Sequence, residues 1–176
     1  MKEFLKRIAL RGLQEQTKTN TVKGEKWILY WNEYSSNIYL SGSEVTYHAK
    51  DDVEFVNELM PPGTVVKEWY SRTRYQMQRI EPALPMIDGE GEYRLRVHID
   101  CPEGERWLLQ LVFYDKYDAE AGRIAIREQV SYFQCPLRTY SYSMQLINGG
   151  MTRFRFHFIE IQEIEHETDE AFEETE

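Results

Sequence analysis

Apolar and polar residues alternate along most of the chain from Lys26 onward. Tyr93, Leu95, Val97 and Ile99 alternate with Glu92, Arg94, Arg96 and His98, which is the two-residue period of a strand with one wet face. Trp107, Leu109, Leu111 and Phe113 repeat the period. Their neighbours Leu108, Val112 and Tyr114 are also apolar, so this strand is expected to be central or covered on both sides. Tyr140, Tyr142, Met144 and Leu146 alternate with Ser141, Ser143 and Gln145, and Phe154, Phe156 and Phe158 alternate with Arg153, Arg155 and His157. Ile159 breaks the last alternation and predicts a bulge or the end of a strand. Further strands are expected at Lys26–Trp31, Asn37–Leu40, Glu44–His48, Val53–Val56, Thr64–Tyr70 and Gly122–Val130.

Turn residues separate these runs: Ser41-Gly42-Ser43, Pro61-Pro62-Gly63, Asp88-Gly89, Pro102-Glu103-Gly104 and Asn148-Gly149-Gly150. Asn148-Gly149, between two alternating runs, is the strongest hairpin signal. Short strands at this spacing, with no helical period after residue 26, predict an all-β antiparallel sandwich, jelly-roll-like. At 176 residues one domain is the natural count. We expect a flexible or helical segment over 1–25, the sandwich over 26–160 and an acidic disordered tail over 161–176. Leu5, Ile8, Ala9 and Leu13 give residues 2–13 an amphipathic helical pattern.

Charge changes this picture at one place. The chain carries a net charge of −9, and residues 160–176 hold nine acids and no Lys or Arg. The preceding residues hold 21 acids and 21 bases, so the body is neutral and the acidity is an appendage. A neutral body lacks the basic footprint of a nucleic-acid binder, despite the Arg153/Arg155/His157 stripe. Lys6, Arg7 and Arg11 interrupt any apolar signal-peptide run, and no apolar stretch approaches the roughly 20 residues of a membrane helix. A cytoplasmic protein with two reduced cysteines, Cys101 and Cys135, is expected.

Catalytic patterns are missing. There is no nucleophile elbow, phosphate loop or dinucleotide fingerprint. His98 and Asp100 share a strand face beside Cys101, but a metal needs three or more convergent ligands. No enzyme activity, metal or cofactor is expected. The 24 aromatic residues (twelve Tyr, eight Phe, four Trp) offer a different chemistry. Trp69, Tyr70 and Tyr75 cluster after the Pro-Pro-Gly turn with Arg72 among them, and Trp31 stands at a loop entry. Aromatic faces beside a few polar groups suit a sugar. These five residues are the candidate carbohydrate site. Trp31 and Trp69 also fit strand positions facing a core.

An ordered series of short pieces resembles the accessory secretory protein 3 family of the accessory Sec system of Gram-positive bacteria. It runs from Tyr30-Trp31 and Tyr39-Leu40-Ser41-Gly42-Ser43 to Leu59-Met60-Pro61-Pro62-Gly63-Thr64-Val65, Trp69-Tyr70-Ser71 and Tyr75. It continues through Leu84-Pro85, Phe113-Tyr114-Asp115, Tyr140-Ser141-Tyr142, Leu146-Ile147-Asn148-Gly149-Gly150 and Phe156-His157. The resemblance spans about residues 28–161. It implies a sandwich similar to carbohydrate-binding modules. It also implies a non-catalytic role in a cytoplasmic complex with accessory secretory proteins 1 and 2 and the accessory SecA motor. That complex would touch the membrane only peripherally and would serve export of a serine-rich-repeat glycoprotein; glycan contact is a separate expectation, carried by the aromatic residues above. A stand-alone carbohydrate-binding module is the alternative reading.

Overall fold

The computed structural model describes residues 24–31, 38–72 and 82–164. The patterned segments form ten strands: β1 (Lys26–Leu29), β2 (Glu44–Ala49), β3 (Asp52–Val56), β4 (Val65–Tyr70), β5 (Glu92–Asp100), β6 (Trp107–Tyr114), β7 (Glu120–Ile126), β8 (Val130–Gln134), β9 (Ser141–Asn148) and β10 (Arg153–Glu163). One sheet has the order β2-β3-β10-β5-β8, with β1 pairing the far half of β10, and the other has the order β4-β9-β6-β7. Every strand pairing is antiparallel. Only β2–β3 and β6–β7 are joined as hairpins; from β3 the chain otherwise steps between sheets at each connection. That crossing pattern is what makes the sandwich jelly-roll-like.

The alternating residues supply the core. Tyr93, Leu95, Val97 and Ile99 from one sheet face Leu109, Leu111, Phe113, Tyr142, Met144 and Leu146 from the other, all buried. An aromatic group fills one half: the Trp31 ring lies 5.3–6.3 Å from those of Phe55, Trp69, Phe154 and Phe156. Ring pairs at these separations add to the area they bury.

Several expectations change. Gly122–Val130 is not one strand: β7 ends at Ile126 and a separate strand, β8, starts at Val130 in the other sheet. Asn148-Gly149 does not close a hairpin, because β9 and β10 belong to different sheets. The Asn148 side chain instead posts the corner. Its Oδ1 accepts from the N–H groups of Gly150 and Met151, and its Nδ2 donates to the carbonyl of Met60 at 3.0 Å. Gly150, at φ 116°, takes a conformation open to glycine. The irregularity in β10 falls between Phe156 and Phe158, and β10 continues past residue 160 to Glu163, with Ile161 and Ile164 buried. Of the expected strand at 37–40, Ile38 makes an isolated bridge to Lys67. Residues 1–23 and 165–176, and with them the predicted helix and most of the acidic tail, lie outside the described residues.

Candidate interaction surface

β4 carries three of the five candidate sugar-site residues or leads into them, and alternation divides them. Trp69 points inward and is 2% exposed; Trp31 is 0% exposed. Both are core residues, and a ring enclosed by other rings offers no face to a ligand at the surface. Trp69 Nε1 donates to the carbonyl of Tyr30 at 3.2 Å. Tyr70 and Arg72 lie on the outward side or beyond the strand end, half-buried and exposed respectively. Tyr75 lies outside the described residues.

Lys67 shares the inward side with Trp69. A register shift between Val65 and Lys67 turns both Val66 and Lys67 into the core. The Lys67 ammonium sits 5.1 Å from the Trp31 ring centroid and 5.4 Å from that of Trp69. Burial lowers its pKa to about 7.

The outward side of β4, β9 and β6 carries a polar row that the sequence reading missed. The Tyr70 hydroxyl donates to Glu68 Oε2 at 2.7 Å, Gln145 Nε2 donates to Glu68 Oε1 at 2.9 Å, and Gln110 Nε2 donates to Gln145 Oε1 at 2.9 Å. In the neighbouring row, Ser143 stands in register between Tyr70 and Val112, and its hydroxyl is buried without a hydrogen-bond partner. The available signal was a glutamine inside an apolar run, as in Leu108-Leu109-Gln110-Leu111-Val112.

Beyond Tyr70 lies the end of the sandwich where β4, β6, β8 and β10 finish and β5, β7 and β9 begin. Tight turns hold it. Asp115 Oδ1 accepts from the N–H groups of Tyr117 and Ala119 at 2.8 and 3.0 Å. Thr139 Oγ1 donates to the carbonyl of Pro136 at 2.7 Å, and the Tyr140 N–H donates to the Tyr114 carbonyl at 2.7 Å. Arg72 Nη1 pairs with Asp118 Oδ1 at 3.0 Å, and its guanidinium lies 5.4 Å from the Tyr140 ring.

The outer face of the six-stranded sheet is charged. Buried Glu160 is met by Lys26 at 2.7 Å, Arg94 at 3.4 Å and Arg96 at 4.0 Å. Burial opposes its charge, but the Lys26 hydrogen bond and the nearby cations outweigh that and hold its carboxyl below the usual range. His157 bonds Asp100 Oδ2 and the Asp51 carbonyl, both at 2.8 Å, and the Asp100 bond raises its pKa. Among the described residues no group of three or more His, Cys, Asp or Glu side chains could hold a metal ion. No helix among them is long and apolar enough to cross a membrane.

A family model described as Accessory Sec secretory system ASP3 matches residues 38–163. The chain belongs to this family. The match covers the second sheet whole and all of the first except β1. A curated relative, the accessory Sec system protein ASP3 of Streptococcus gordonii, is 35% identical over 130 residues, covering 74% of this chain and 82% of the relative. The protein of the same name from Staphylococcus aureus is 26% identical, with 84% of this chain and 46% of the relative covered. Two solved assemblies contain chains of like fold. One is the Glycosylation Associate Protein (Gap123) complex from Streptococcus agalactiae, with TM-score 0.73, 27% identity, and 85% of this chain and 48% of that chain covered. The other is the structure of accessory secretory protein 1, 2 and 3 in Streptococcus pneumoniae, with TM-score 0.73, 26% identity, and 82% and 100% covered. The chain therefore spans less than half the length of the S. aureus relative and of the S. agalactiae chain. These matches make it a subunit of the accessory secretory protein 3 type, from an accessory Sec system.

Proposed function

We propose that this family member is a non-catalytic, cytoplasmic subunit that assembles with accessory secretory proteins 1 and 2 and supports export of a serine-rich-repeat glycoprotein by the accessory SecA motor. The observation that carries this reading is the likeness, over 82% of the chain, to a chain in the structure of accessory secretory protein 1, 2 and 3 from Streptococcus pneumoniae. Co-expression of the tagged chain with its cognate accessory secretory proteins 1 and 2 tests it. Both should co-elute through affinity and size-exclusion steps; a chain that elutes alone at every salt concentration refutes the assembly.

Direct contact with the cargo's glycan is a second reading, supported by the row Tyr70, Glu68, Gln145 and Gln110 beside Arg72. Sugar hydroxyls need donors and acceptors held in place next to an aromatic edge. Because Trp31 and Trp69 are buried, the test belongs at Tyr70 and Arg72. Calorimetry with an N-acetylglucosamine-bearing glycopeptide should show heat that Tyr70→Ala and Arg72→Ala diminish. Absence of heat with the unaltered protein refutes glycan contact.

A further inference from the structure

Four large apolar side chains stand exposed at the turn end of the sandwich: Met86 at 93%, Tyr117 at 77%, Tyr140 at 64% and Leu137 at 62%. They come from three separate connections: the loop leading into β5, the β6–β7 turn and the β8–β9 turn. Each connection also holds a non-glycine residue with positive φ: Glu90 at 68°, Asp118 at 61° and Arg138 at 70°. Among the described residues these are all the non-glycine positions of that kind, and they share one end of the molecule. Such conformations persist only where the surroundings enforce them, and they cluster at ligand clamps and binding sites.

The enforcement is visible. Glu90 N–H donates to the Cys135 carbonyl at 2.9 Å, which ties the β5 loop to the β8–β9 turn. Asp118 is held by Arg72, which also lies over Tyr140, so the β6–β7 and β8–β9 turns are pinned to the end of β4. The Arg72 guanidinium beside the Tyr140 ring lowers the freedom that this side chain loses on docking. Tyr and Arg are among the residue types most enriched at interface hot spots.

We propose that this turn end is where a partner protein subunit docks, presenting apolar pockets that take Tyr117, Tyr140, Leu137 and Met86 around Arg72. This rests on the assembly reading above and adds the surface to it. The four side chains expose on the order of 500 Å², taking aromatic residues as 150–250 Å² each, against about 800 Å² per partner in a stable specific interface. Most of the apolar core of such an interface is therefore already present on one rigid end. Charge argues for a protein rather than an anionic lipid surface: Lys116 and Arg138 are balanced by Asp88 and Glu90, leaving no cationic excess.

The test uses the full chain and its purified cognate accessory secretory proteins 1 and 2 in an equilibrium binding assay. Tyr117→Ser/Tyr140→Ser should weaken binding at least tenfold, and so should Leu137→Ser/Met86→Ser, which serves if the first pair fails to fold. Near-ultraviolet circular dichroism and the urea midpoint report folding. Leu40→Ser/Leu59→Ser, on exposed loops at the opposite end, should bind like the unaltered protein. Full binding by both turn-end variants overturns the docking surface while leaving the assembly intact. An unaltered chain that binds neither protein overturns the assembly and the docking surface with it. A dimer of the unaltered chain that Tyr117→Ser/Tyr140→Ser converts to a monomer, with partner binding unchanged, assigns the end to a second copy and likewise overturns the proposal.

Discussion

Replacing Lys67 by Met should flatten a large part of the pH dependence of stability. Lys67 is 0% exposed, and burial takes its pKa from 10.5 to about 7. In the unfolded chain it returns to the ordinary value. Below pH 7 both states hold the proton, and the folded state carries the whole cost of a buried ammonium. Above about 10.5 neither state holds it and the cost vanishes. Between these limits the unfolded chain binds the extra proton, so stability rises with pH. A displacement of 3.5 units at about 1.4 kcal/mol each gives an upper limit on the order of 5 kcal/mol. The Trp31 and Trp69 rings already favour the ammonium from 5.1 and 5.4 Å. Urea unfolding of the unaltered protein and of Lys67→Met, at pH steps from 6 to 10, measures the effect. The two curves should converge by about 2–5 kcal/mol across that range, Met being favoured most at the acid end. Taking the difference removes tyrosines and cysteines that titrate in the same window. A difference that stays constant with pH refutes the buried, titrating lysine.

Two further expectations follow from the geometry. Asn148→Ala removes four hydrogen bonds at a buried corner and leaves the Met60 carbonyl without that donor; chemical denaturation should show a loss of about 2–4 kcal/mol. His157 faces acceptors on both ring nitrogens, so the imidazolium satisfies both, and its folded pKa is raised by Asp100. Its contribution is full below about pH 6.5 and is lost as pH rises through the folded value. An NMR titration should place the His157 midpoint above 6.5, and Asp100→Asn should bring it down; a midpoint at or below 6.5 refutes the pairing.

Strands were legible where one face is wet. The alternation through 92–99 marks β5 because each polar residue there meets water or a hydrogen-bonding neighbour; β9 keeps the same alternation through 140–146 although Ser141 and Ser143 are buried. Legibility failed where the backbone departs from the period without a residue that announces it. The chain leaves β7 through Arg127, Glu128 and Gln129, with no Gly or Pro to mark the step to β8. The irregularity after Phe156 leaves Phe158 half-buried, with its ring 4.2 Å from that of His98, so a third Phe of an apparently uniform stripe pairs with a surface histidine. Asn148-Gly149 was misread for another reason. The pair signals a tight reversal, but whether the reversal stays in one sheet depends on partners distant in sequence, here Met60 and Arg106. The sugar-site reading failed at Trp31 and Trp69 because an aromatic suits a core and a ligand platform equally well, and only packing separates the two.

β4 shows how the sandwich divides its labour. Lys67 and Trp69 point into the aromatic core, while Glu68 and Tyr70 point out into the polar row and Arg72 reaches the turn end. Side chains on opposite faces of a strand share backbone but few neighbours. Stability and recognition should therefore be separable along six residues. Lys67→Met alters the stability curve while the outward row keeps its partners, and Arg72→Ala releases Asp118 and Tyr140 while the core stays closed. If binding followed Lys67 as strongly as Arg72, the surface would be set by the core beneath it, and the rigidity ascribed to the turns themselves would have to be given up.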